Sequence, residues 1–138
     1  MFNAFKIAAA ASILATPLLA DDHMMAAAVV AEDQSVANGV VSATSITAPE
    51  NGWLVVHRTD AEMKPGPVVG YAPLRAGETA DVAAILTEEV APGDMLMLMV
   101  HSEAGGMKTG AFEYTLGATE DGPIKPDGNL VMTVITAQ

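Results

Sequence analysis

From Val36 onward, short runs of Val, Ile, Leu and Thr alternate with clusters of Pro, Gly, Asn and Asp. Apolar runs of this length, bounded by turn residues, predict strands. The first is "VVSATSIT" (40–47), closed by the turn "APENG". "WLVVHRT" (53–59) follows, with Trp53, Val55 and His57 on one face and Leu54, Val56 and Arg58 on the other. "PVVGYAPL" (67–74) carries two prolines, which suits an edge or bulged strand. "TADVAAIL" (79–86) turns Ala80, Val82, Ala84 and Leu86 one way and Asp81 the other. "DMLMLMVHSE" (94–103) is apolar on both faces, the mark of a central strand. "AFEYTL" (111–116) and "NLVMTVIT" (129–136) complete the set.

No helical stripe and no internal repeat interrupts this series. The pattern predicts an all-β domain over 36–138, an antiparallel two-sheet sandwich of about seven strands, immunoglobulin-like or cupredoxin-like. A small barrel is the alternative. Upstream, "DDHMMAAAVVAEDQS" (21–35) is acidic, then Ala-rich, then acidic again. It reads as a short helix or a mobile N-terminal arm.

The first twenty residues, "MFNAFKIAAAASILATPLLA", join Lys6 to a short apolar run and end on Ala20. That is the pattern of a secretory signal peptide over 1–20. The run is too short to span a bilayer comfortably, where about 20 apolar residues are expected. A cut after Ala31 competes, but its leader would carry Asp21, Asp22 and His23. The expected locations are the periplasm or the extracellular space.

Charge and cysteine content narrow the class. The formal net charge is -11, and removing Lys6 with the leader takes it to -12. Such a surface repels nucleic acid and anionic membrane and favours a soluble monomer. The absence of Cys excludes disulfides and thiolate metal sites, including the usual blue-copper centre.

Several segments together resemble a known family. "GWLVVHRTD", "GPVVGYAPLRAGETADVAAIL", "LMLMVHSEAGGMKTGAFEY" and "DGPIKPDG" are similar to exported domains of unknown function found in haloarchaeal surface proteins and bacterial envelope proteins. The resemblance runs from about Ser45 to Thr136 and implies a secreted β-sandwich module. It implies no catalytic activity.

Three constellations carry candidate chemistry. In "DDHMM" (21–25), a cut after Ala20 would give Asp21 a free amino group and make His23 the third residue. The amino group, two amide nitrogens and the imidazole can then surround Cu(II) or Ni(II) in a plane. Met24 and Met25 add thioethers suited to Cu(I). Second, "HRTD" and "HSE" set His57 near Asp60 and His101 near Glu103 at two strand ends. Side by side, the two histidines could hold Zn(II) or Cu(II), with carboxylates as ligands or supports. The bland reading has both imidazoles hydrogen-bonding loop backbone. Third, Met95, Met97 and Met99 share a strand face that His101 continues, either a soft copper path or ordinary core filling.

Enzyme signatures are missing. Ser102 lacks the G-x-S-x-G turn of a nucleophile elbow, and "GMKTG" lacks the P-loop spacing. Adjacent Glu88 and Glu89 would point to opposite strand faces, which is poor for paired acid–base work. The expectation is an exported, non-catalytic binding or structural module that needs no cofactor and meets an envelope or extracellular partner. The alternative is a periplasmic copper-handling protein using Asp21, His23, Met24, Met25, His57 and His101.

Overall fold

A computed structural model describes residues 25–138. The expected leader and Asp21, His23 and Met24 lie outside them. Seven antiparallel strands form one sheet: β1 (Ala28–Val30), β2 (Val40–Ala48), β3 (Gly52–Thr59), β4 (Val68–Leu74), β5 (Gly77–Leu86), β6 (Met95–Ser102) and β7 (Met132–Thr136). Their order across the sheet is β1-β2-β5-β4-β3-β6-β7. The fold is all-β, as the alternation predicts.

The sheet folds over on itself. β4 meets β5 through only two residue pairs, Gly70 with Leu86 and Tyr71 with Ile85. That short seam divides it into one half built on β2 and β5 and another built on β3, β4, β6 and β7. A parallel bridge between Gln34 and Ala137 nearly closes the far side, giving a barrel-like sandwich. Between the halves lies the main core, with Val41, Ile46, Leu54, Val56, Leu98 and Ile135 among its fully buried members.

Two segments differ from expectation. Residues 28–30 of the Ala-rich segment form β1, an edge strand paired with β2 from Ala28–Thr47 to Val30–Ser45. Ala27, Val29 and Ala31 lean on the core, so alternate small apolar residues bury one face. Residues 111–116, which alternate like a strand, are irregular. Their amides bond within the long connection between β6 and β7: Glu113 N–H donates to the Asp121 carboxylate at 2.8 Å. That 103–131 connection covers the outer face of β3 and β6, setting Phe112 against Trp53 and Tyr114 against His101.

Candidate functional site

Beneath the cover lies a second buried cluster, separate from the main core. β3 contributes Trp53, Val55 and His57, and β6 contributes Met97, Met99 and His101. These are the outward-facing residues of two central strands. Their rungs are Trp53–His101, Val55–Met99 and His57–Met97. The two histidines therefore occupy opposite ends of a diagonal, rather than the adjacent strand ends that the "HRTD" and "HSE" spacing suggests.

Their rings lean inward and meet. His57 Nε2 and His101 Nε2 are 3.3 Å apart, with ring centroids 5.4 Å apart. Both residues are buried, at 0% and 1% exposure. Each Nδ1 faces a carbonyl oxygen: His57 meets Gly66 O at 2.8 Å, and His101 meets Asp121 O at 2.6 Å. A carbonyl only accepts, so both Nδ1 atoms are donors. Tyr114 stands edge-on to both imidazoles, 5.8 Å from His57 and 4.6 Å from His101.

Burial controls the charge of this pair. Desolvation lowers the pKa of His57, against the hydrogen bond its ring donates to the Gly66 carbonyl, which raises it. His101 is lowered to about 4, by desolvation first, against the hydrogen bond its ring donates to the Asp121 carbonyl. Both imidazoles are neutral at pH 7.

The neighbouring carboxylates take other partners. Glu103 accepts Trp53 Nε1–H at 2.9 Å, and Asp60 accepts the Glu62 amide at 3.1 Å. Neither is hydrogen-bonded to a histidine. Asp121 is the residue that sequence spacing misses. Fully buried, it accepts His101 through its backbone and the amides of Ala104 and Glu113 through its side chain. Among the described residues, no group of three or more His, Cys, Asp or Glu side chains could hold a metal ion. Of the N-terminal candidates, only Met25 is described, and it is 57% exposed.

Over the cover, aromatic side chains reach the surface. Tyr71 stacks on Phe112, with centroids 4.2 Å apart, and Trp53 meets both rings edge-on. Val68, Tyr71, Phe112, Tyr114 and Leu116 line an open depression of about 390 Å³. Ile85, directly across from Tyr71 in the β4–β5 seam, is 74% exposed and extends the apolar surface.

These features define a seven-stranded, all-β module with a neutral imidazole pair sealed beneath a loop layer. A family model, the domain of unknown function DUF7282, matches residues 27–138, and the chain belongs to that family. The match takes in β1 and therefore begins well before the Ser45 suggested by the motifs. It leaves Asp21, His23, Met24 and Met25 outside. No curated protein and no solved structure matches the chain.

Proposed function

We propose that this chain is an exported, non-catalytic binding module of the envelope or extracellular space. Its partner docks on the apolar surface formed by Tyr71, Phe112, Leu116 and Ile85. One observation carries the reading: Tyr71 is 44% exposed yet held in a stack on Phe112. An ordered aromatic pair offers contact area at little entropic cost on binding. No charged side chain lines the adjoining depression. An inserted apolar or aromatic side chain of a protein partner therefore fits it better than an ionic ligand. The resemblance to envelope and surface proteins agrees with that placement.

The non-catalytic part rests on the histidines. His57 and His101 are buried and turn Nε2 towards each other, which leaves neither positioned to exchange a proton with a substrate in solvent. A photoreactive phenylalanine analogue at Tyr71 or Ile85, in the producing cell, tests the docking face. The expected result is crosslinking to one partner from both positions and not from Glu50, an exposed residue of the β2–β3 turn. Equal crosslinking from Glu50, or none from Tyr71, rejects this face.

A second reading concerns copper at the N-terminus. His23 becomes the third residue if export cuts after Ala20, and Asp21 then supplies the amino group. Met25, two residues beyond His23 in the chain, is exposed. Intact mass of the exported protein followed by Cu(II) titration tests it. A chain beginning at Glu32, or one beginning at Asp21 without a Cu(II) absorption band, removes this site.

A further inference from the structure

The buried histidine pair is one hydrogen short of its contacts. Three polar contacts run in series: Gly66 O to His57 Nδ1, Nε2 to Nε2, and His101 Nδ1 to Asp121 O. Each contact needs one hydrogen, and two neutral imidazoles supply two. With both Nδ1 atoms protonated, two lone pairs face each other across 3.3 Å. Exchanging a tautomer only moves the conflict, because an unprotonated Nδ1 would then face a carbonyl oxygen. The pair is complete only with a cation between the rings.

The surroundings select that cation. A third proton would bridge the rings as a hydrogen bond, for which 3.3 Å is longer than the usual range of about 2.7–3.2 Å. A metal ion uses both lone pairs and leaves each Nδ1–H on its carbonyl. Two nitrogens held about 2.0–2.1 Å from one ion, at a trigonal or tetrahedral angle, stand about 3.3–3.6 Å apart. The observed 3.3 Å fits that spacing, whereas ligands on opposite sides of an ion would be about 4 Å apart. Both Nδ1–H groups are already fixed by carbonyls, the outer contact that orients metal-bound histidine.

Donor chemistry narrows the metal. The rings converge over the Val55–Met99 rung, where Met99 is fully buried on the same strand face. Among the described residues, no third imidazole or carboxylate joins them. Two neutral nitrogens and a thioether suit soft Cu(I) better than Zn(II), which usually takes four donors. The fully buried Asp121, whose carbonyl holds His101, places a carboxylate near the site.

We propose that His57 and His101, with the Met99 thioether, form a closed Cu(I) site beneath the 103–131 cover. It is independent of the docking face and of the N-terminal Cu(II) reading. The test uses the full chain and a His23→Ala variant, titrated anaerobically with Cu(I) supplied as its bicinchoninate complex. Both should withdraw one equivalent. His101→Phe should weaken that uptake at least 100-fold, with folding monitored by Trp53 fluorescence. If His101→Phe fails to fold, X-ray absorption of the copper-loaded His23→Ala protein decides: two imidazole nitrogens and one sulfur are expected. Absence of uptake by the folded wild-type chain overturns the site. So does undiminished uptake by folded His101→Phe, or copper bound by sulfur alone. Three ring N–H signals across the pair at pH 7, without copper uptake, would identify a shared proton instead.

Discussion

The Trp53 indole N–H donates to the Glu103 carboxylate at 2.9 Å, fastening the start of the cover to the middle of the sheet. A partly buried hydrogen bond to a charged acceptor contributes about 1.5–3 kcal/mol. Glu103→Ala should therefore lower unfolding stability by about 2 kcal/mol, and Glu103→Gln, which keeps an oxygen acceptor, by less. Trp53 is the sole tryptophan, so its fluorescence in a urea titration reports the change directly.

Asp121 anchors the other end of the cover. Its φ of 45° lies in the left-handed region, which Asn tolerates as well as Asp does. Asp121→Asn therefore isolates the loss of the carboxylate. One oxygen becomes an NH2 group facing either the Ala104 or the Glu113 amide, donor against donor. The expected loss is about 2 kcal/mol, measured by chemical denaturation.

Gly52 allows β3 and β6 to approach. A Cβ there would lie 2.1 Å from the His101 carbonyl oxygen, a backbone atom. Gly52→Ala must separate the two central strands locally, and should cost about 3 kcal/mol or more. Thermal unfolding checks the loss, and a changed His101 imidazole resonance would locate the disturbance.

Acid should destabilise the metal-free protein through the imidazole pair. His101 has a folded-state pKa of about 4, below the 6.5 of an unperturbed histidine. Between these values the unfolded chain binds more protons, so stability rises with pH and falls on acidification. The full His101 contribution is present above pH 6.5 and declines as the pH drops towards 4. It amounts to about 3 kcal/mol. Urea midpoints from pH 7 to pH 4.5 measure the slope, which His101→Phe should flatten.

Arg58 tests the value of a planar fork. It donates to Glu88 at 3.1 Å, to Asp94 at 3.0 Å and to the Glu89 carbonyl at 2.6 Å. Lysine cannot reproduce three directions from one planar group. Arg58→Lys should thus lose about 1 kcal/mol, most of what Arg58→Ala loses, at a partly exposed site. Denaturation of both variants at low and high salt separates geometry from charge.

The periodicity that revealed β2 to β7 reflects burial repeated along each strand. "MLMLM" was legible as a central strand because both of its faces are covered. The same rule misled at 111–116, where Phe112 and Tyr114 pack on the sheet while the backbone bonds within its own connection. A side chain can alternate without a neighbouring strand to pair its amides. β1 was hidden for the opposite reason: three residues of Ala and Val carry too short a pattern. The spacing offered His57 and His101 as a pair at two neighbouring strand ends. Their meeting depends on register and on two distant carbonyls, Gly66 and Asp121, which residue spacing does not encode.

The cover adds no strand between Ser102 and Met132, and its backbone bonds to β6 only at Val100 and Ser102, beside a bridge from Pro123 to His101. Its outward path therefore need not break the rungs that join β3 to β6. Such a segment can lift as a separate cooperative unit, at a free energy below that of global unfolding. The rate at which anything reaches the imidazoles would then follow the lifting of one connection while the barrel-like sheet stays intact. Amide exchange should reveal this hierarchy, with the Glu113 and Asp121 amides exchanging ahead of those in the β3–β6 ladder.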